Sequence, residues 1–294
     1  MTYLLAKALF SVFSSLDRES NLRLGELIGS LFWNAGYRKK VILKNLDIAF
    51  PEKDLNWKKK TGKSSLQNIG RTLTEFSKIP DYIKTGQIKD IFTVEKGREI
   101  LEIEGGKIII TAHIGNWEIG GAGLSYMYGN VVSLAYRIKN KKLNQLITEI
   151  RESSGMKIIF HDQPLKDFLK SLKDEKTVVF LADQNALRHR GVFVDFFGLP
   201  ASTVSFPAKL AVRYGVPVFF AYQYYDYETK VYRGIIKEIN WKKSEDTDRS
   251  IKNLVQAYTK EIEDAVRKHP DQYFWVHKRW KTRPEGELEN IYSD

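Results

Sequence analysis

The chain has 294 residues, 43% hydrophobic and 13% aromatic, enough apolar side chain for a sizeable core and too much for wholesale disorder. It has no cysteine, which excludes disulfide staples, zinc–thiolate centres and thiol nucleophiles. The formal net charge of +11 favours anionic partners, whether nucleic acid, anionic lipid or an acidic protein.

The first apolar run, Tyr3 to Leu16, is interrupted by Lys7 and falls short of the roughly 20 residues a spanning helix needs. Neither a basic start nor a small-residue cleavage site marks a secretory signal. A helix lying on a membrane surface, or one packed against the domain, fits the pattern. Leu24, Leu27, Ile28 and Leu31 recur at helical spacing, as do Val41, Ile42 and Leu46, and Pro51 separates one helix from the next. Residues 1–80 therefore read as an N-terminal helical, membrane-associating region, and 81–294 as an α/β domain. In the second region β-rich runs at 107–111, 131–136, 157–160, 177–182 and 216–225 alternate with amphipathic stretches at 116–127, 140–154, 164–174 and 202–214. This alternation predicts an α/β fold, a central largely parallel or mixed sheet flanked by helices. The stretch 247–268 places Ile251, Leu254, Val255, Tyr258, Ile262, Ala265 and Val266 on one helical stripe.

The densest message is "GKIIITAHIGNWEIGG" at 106–121, a buried strand ending in a His with a carboxylate five residues on. Five residues of regular helix leave two side chains about 140° apart, so His113 and Glu118 cannot meet within one helix. They can meet if His113 lies on a strand-to-helix turn, with Gly115 allowing the bend and Asn116 near the N-cap. Strand ends of open α/β sheets face the ligand crevice, and free N–H groups at the helix start favour an oxyanion or a phosphate. A neutral His can accept a hydroxyl proton while a carboxylate fixes its tautomer. With no Cys and no G-x-S-x-G elbow, direct transfer to a hydroxyl fits better than a covalent intermediate.

With its flanks included, "HIGNWE" resembles the H-x4-[DE] motif of the lysophospholipid acyltransferase-like superfamily, in the form used by its lipid A biosynthesis (lauroyl/myristoyl) acyltransferase branch. The stretches "YRKKVILKNLDIAFPE" (37–52), "YRIKNKKLN" (136–144), "LADQNALRHRGVFVDFFGLPAST" (181–203) and "HPDQYFWVHKRWKTRP" (269–284) are similar to further blocks of that family, in the expected order. The resemblance implies transfer of a fatty acyl group from acyl-acyl carrier protein, with no other cofactor, to a hydroxyl of a lipid A precursor. The expected partners are the carrier protein, an anionic lipid acceptor and the cytoplasmic face of the inner membrane. Carried over by position, His113 is the general base, Glu118 its partner and Arg137 the arginine for an oxyanion or acceptor phosphate. Asp183 and Gln184 line the crevice, and Asn116 and Trp117 shape the acyl and acceptor pockets. One departure stands out: Phe206 occupies a position where the family's pattern has Gly, and a ring there shortens or redirects an acyl tunnel. The same chemistry on another glycolipid or lysophospholipid, thioester hydrolysis, and a non-catalytic membrane-binding role are the alternatives.

Other features read as structural. Asp183 could equally cap a turn. His161 and His189 lie in polar contexts and are expected to be solvated, while Tyr273, Phe274 and Trp275 are expected to pack. The run Lys278, Arg279, Lys281 and Arg283 is either a solvated face or a surface steering an acidic carrier or anionic lipid, with Arg279 as a candidate substrate contact. "GKSS" at 62–65 lacks the first Gly of a P-loop, since Trp57 stands there. No metal-binding motif occurs, and without an RNP-like motif or helix-turn-helix spacing nucleic acid is not an expected partner.

Overall fold

A computed structural model describes residues 2–287 and 291–292. Six helices come first: α1 (Thr2–Ser15), α2 (Arg18–Asn34), α3 (Lys39–Ala49), α4 (Leu55–Phe76), α5 (Ile79–Thr85) and α6 (Ile88–Ile91). Then follow β1 (Phe92–Lys96), α7 (Glu99–Glu102), β2 (Lys107–Thr111), α8 (Trp117–Tyr128), β3 (Val131–Ala135), α9 (Lys141–Glu152), β4 (Lys157–Phe160), α10 (Leu165–Lys173) and β5 (Thr177–Leu181). The chain closes with β6 (Gly191–Phe196), β7 (Leu199–Val204), α11 (Phe206–Tyr214), β8 (Val218–Asp226), β9 (Val231–Glu238) and α12 (Thr247–Lys268).

Seven strands form one sheet in the order β1-β9-β8-β2-β5-β3-β4, parallel throughout except for the antiparallel β8–β9 pair. The five strands read from the sequence are present. β1, β9 and the separate antiparallel β6–β7 hairpin are additional. The hairpin takes up 202–204, so the helix expected from 202 begins only at Phe206, where Pro207 enters its first turn.

β2 is buried along its whole length because both faces of the sheet are covered. Ile108 and Ile110 pack with residues of α11 and α12, while Ile109 belongs to the opposite face with Phe219 and Ile236. The N-terminal helices join the same body. α2 and α4 cross at backbone contact: a Cβ on Gly70 would lie 1.9 Å from the Gly25 carbonyl, and one on Gly29 2.3 Å from the Leu66 carbonyl. α1 is fixed at its end by Lys78, whose Nζ donates to the Ser14 carbonyl at 2.8 Å. Its opposite side is bare, with Leu4 68% and Leu5 60% exposed. Among the described residues no helix is long and apolar enough to cross a membrane.

Candidate active site

β2 and β5 are neighbours in parallel register, with Thr111 opposite Leu181. Each strand is followed by one Ala and then a titratable residue, so His113 and Asp183 emerge side by side two residues past the paired ends. The His113 ring Nδ1 lies 2.8 Å from Asp183 Oδ1, and the His113 backbone N–H donates to Asp183 Oδ2 at 3.2 Å. Asp183 is buried. Burial alone would raise its carboxyl, but the charge of His113 and the hydrogen bonds from its ring and backbone hold it below the ordinary range. An ionised Asp183 makes Nδ1 the protonated nitrogen and leaves Nε2 to accept a proton. Gln184 Nε2 lies 3.5 Å from His113 Nε2. Trp117 meets the ring edge-on at 4.8 Å and Phe274 lies against it at 5.4 Å.

The turn between β2 and α8 is strapped on all sides. Gly115 has φ 60, and a Cβ there would sit 2.4 Å from the Gln223 carbonyl, so glycine is required twice over. The Gly115 carbonyl accepts from Asn68 Nδ2 at 2.7 Å, and its N–H donates to the Gln272 carbonyl at 3.1 Å. Gln223 Nε2 donates to the Ile114 carbonyl at 2.7 Å, and the Phe274 N–H to the His113 carbonyl at 3.1 Å. The C-terminal segment 269–284 thus clamps the histidine from behind.

Glu118 does not meet His113. Its carboxylate accepts from Arg151 Nη2 at 2.6 Å and Nε at 2.9 Å, and from Trp117 Nε1 at 3.2 Å. The expected His–Glu contact is corrected: His113 Nδ1 is taken by Asp183, and the first turn of α8 directs Glu118 towards α9. Arg137 is also displaced. It sits half-exposed past the end of β3, bonded to Asp162 at 2.8 and 3.0 Å and lying over the Phe160 ring at 3.9 Å. Among the described residues the arginines lining the cavity are Arg151 and Arg190 instead.

Asn116 is fully buried and caps α8, accepting from the Ile119 N–H at 3.1 Å, so it shapes the turn and not a pocket wall. Its amide donates to Glu75 Oε2 at 3.2 Å. Glu75 also receives the Arg18 guanidinium at 3.0 Å and the Tyr232 hydroxyl, joining α2, α4 and β9 to the cap. Arg279 is buried as well, donating to the Ser202 carbonyl at 2.9 Å and to Thr203 Oγ1. It lies outside the cavity lining and braces β7, so the expected substrate contact is corrected. Arg283 is buried too, leaving Lys281 as the exposed member of that basic run.

Trp117, Glu118, Gln184 and Phe206 join His113 in lining a cavity of about 850 Å³. One part runs along the α8 face of the sheet, between Ile109, Leu124, Val131, Met156 and Val179. The other lies across the strand ends, where Phe206 packs against Phe168 at 5.2 Å. His161 and His189 are exposed, as expected, and both also line the cavity, where His161 stacks on Tyr136 at 4.4 Å. Asp183 is the partner that local spacing missed. Its signal was present in the matched "TAH" and "LAD" endings of two strands that only the sheet makes neighbours. Among the described residues no group of three or more His, Cys, Asp or Glu is arranged to hold a metal ion.

The family model described as bacterial lipid A biosynthesis acyltransferase matches residues 1–282. The chain is similar to the phosphatidylinositol mannoside acyltransferase of Mycolicibacterium smegmatis, 28% identical over 163 residues and 53% of each chain, so the match spans about half of that relative. It is 24% identical over 255 residues to the lipid A biosynthesis palmitoleoyltransferase of Escherichia coli, covering 85% of this chain and 81% of that one. The solved 1-acyl-sn-glycerophosphate (LPA) acyltransferase PlsC of Thermotoga maritima covers 84% of this chain and 98% of its own at 14% identity, with a TM-score of 0.36, too loose a likeness to carry detail. By a match that runs from the first helix through the C-terminal clamp, the chain belongs to the bacterial lipid A biosynthesis acyltransferase family.

Proposed function

We propose that the protein transfers a fatty acyl group from a carrier-bound thioester, acyl-acyl carrier protein, to a hydroxyl of a glycolipid at the cytoplasmic face of the inner membrane. A lipid A precursor is the acceptor that the family match supports. The observation that carries the reading is the His113–Asp183 pair at an apolar cavity. In the proposed step His113 Nε2 takes the acceptor hydroxyl proton as the oxygen attacks the thioester carbonyl. The tetrahedral oxyanion is held by donors at the start of α8, whose first N–H groups have no partner within the helix. Collapse expels the carrier thiolate, which recovers the proton from the imidazolium. Asp183 stays ionised throughout, and Glu118 with Arg151 forms a charged wall that orients the acceptor.

Asp183→Asn is expected to lower kcat by about 10²–10⁴-fold with KM little changed, because the wrong tautomer is then held at position 113. Glu118→Gln should act mainly through acceptor KM. Steady-state transfer with labelled acyl carrier protein measures both. Full activity in His113→Ala, with the fold intact by circular dichroism, would sink the assignment. The similarity to phosphatidylinositol mannoside acyltransferases favours a second acceptor, a mannosylated phosphoinositide, with the same chemistry. Lipid mass spectrometry of cells with and without the protein separates the two acceptors.

A further inference from the structure

Glu75, on α4, is a fully buried carboxylate that the proposed chemistry leaves unused. Its Oε1 accepts from Arg18 Nε at 3.0 Å, and its Oε2 from Asn116 Nδ2 at 3.2 Å and from the Tyr232 hydroxyl. All three neighbours are donors. Burial and the Glu75 charge push the Tyr232 hydroxyl well above its ordinary pKa, which keeps its proton in place. Arg18 is fixed from its far end, where Nη1 donates to the Lys230 carbonyl at 2.7 Å. A buried ion pair of this kind is a poor source of net stability, because desolvation of both charges offsets their attraction. None of the four side chains lines the cavity.

The arrangement decides which way the Asn116 amide points. The two ends of a side-chain amide are nearly alike in shape, and only their partners tell carbonyl from N–H₂. Glu75 can only accept, so it takes the Nδ2 end and leaves Oδ1 to accept the Ile119 N–H at 3.1 Å. Turned over, Asn116 would set N–H against N–H at Ile119, and the cap of α8 would be lost. Ile119 is the third residue of that helix. With its N–H engaged, those of Trp117 and Glu118 ahead of it are the donors left for an oxyanion.

We infer that Glu75 is a positioning residue for acyl transfer. By fixing the orientation of the Asn116 amide, it holds the first turn of α8 and its oxyanion donors in place beside His113. The kinetic consequence rests on the acyl-transfer reading, whereas the orienting role rests on the hydrogen bonds alone.

Glu75→Gln keeps the volume and turns one acceptor oxygen into a donor. The charge-assisted bond from Arg18 is stronger than a neutral one and draws the Gln carbonyl to itself. The Gln N–H₂ then faces Asn116, which inverts and releases Ile119. In E75Q, kcat per folded molecule is expected to fall about 10²-fold at unchanged KM, the effect of displaced oxyanion donors. Removing Arg18 as well lets the carbonyl turn back to Asn116, so R18M/E75Q should recover kcat to within about threefold of wild type. A merely structural Glu75 would lower the unfolding midpoint and leave kcat per folded molecule alone. Amide hydrogen exchange at Ile119 reads the cap without turnover, and should quicken about tenfold or more in E75Q and slow again in R18M/E75Q. Unchanged Ile119 exchange, an undiminished kcat, or a loss that R18M does not relieve overturns the proposal. N116A removes the cap while leaving Arg18 and Glu75 in place, and carries the test should E75Q not fold. A comparable loss of kcat there supports the proposal, and wild-type kcat overturns it. If wild type transfers no acyl group while the exchange pattern holds, the acyl-transfer reading fails and the orienting role of Glu75 stands.

Discussion

His277 shows how a single side chain near the site couples to pH. It is largely buried, its Nε2 accepts from the Asn185 backbone N–H at 2.9 Å, and burial pushes its pKa down to about 4. The unfolded chain therefore binds a proton near pH 6.5 that the folded chain refuses until about pH 4. Stability from this group is complete above pH 6.5, declines as pH falls to about 4, and levels off below. The full loss is about 3 kcal/mol, from roughly two and a half units at 1.36 kcal/mol each. Urea unfolding at pH 7 and pH 5 should show the decline, and His277→Gln, which keeps an acceptor without a titration in this range, should flatten it. An unchanged slope in that variant would remove the buried neutral imidazole as the cause. At the same scale, Asn116, Arg279 and Arg137 show that polar residues in a recognised motif divide between chemistry and scaffolding. Two of the three are engaged by neighbouring backbone and buried, and the third is bonded to Asp162 outside the cavity.

At the scale of elements, the α2–α4 crossing and the α8 face each carry a prediction. Gly70→Ala places a methyl 1.9 Å from the Gly25 carbonyl, where backbone must move. A loss of about 3 kcal/mol is expected, at the upper end for overpacking, and chemical denaturation measures it. Gly36→Ala, with nothing within 4 Å but φ +77, serves as a contrast whose cost is backbone strain alone. The α8-face lobe is proposed as the acyl site, so Leu124→Trp should shift preference to a shorter acyl chain. Phe206→Ala should leave the chain-length profile unchanged, since its ring faces Phe168 and Phe180 across the strand ends. Competition among donors of different length reads both. A longer preferred chain in Phe206→Ala alone would place the acyl group in the other lobe.

For the whole molecule, the N-terminal helices present Leu4, Leu5, Leu9 and Val12 to solvent within about 140° of arc on α1, and Leu27, Leu31 and Phe32 on α2. With a formal net charge of +11, such a surface suits an anionic bilayer. We propose that it is how the protein meets its lipid. Replacing Leu4, Leu5 and Leu9 together by Ser should lower partition onto phosphatidylglycerol vesicles by about a hundredfold, roughly 1 kcal/mol per leucine. Co-sedimentation tests this, and unaltered binding would transfer the role elsewhere. Transfer to a water-soluble acceptor analogue should be unaffected, because the three residues lie outside the cavity lining.

Local order was legible from residues alone. Short runs rich in β-branched and aromatic residues marked β2 to β5 and β8, helical periodicity marked the helices between them, and the bend at Gly115 followed from its neighbours. β1, β9 and the β6–β7 hairpin were not legible, because "FTVEK" is short, Gly234 interrupts "VYRGIIKE", and the hairpin runs into α11 without a break in composition. The histidine and its motif were likewise visible in one stretch of chain. Its carboxylate was not, since Asp183 stands 70 residues away and reaches His113 only through the register of β2 on β5. Amino-acid order determines which segment bends and which extends, because those preferences act over a few residues. Which carboxylate faces the imidazole was decided by strand pairing, a long-range contact that local spacing does not encode.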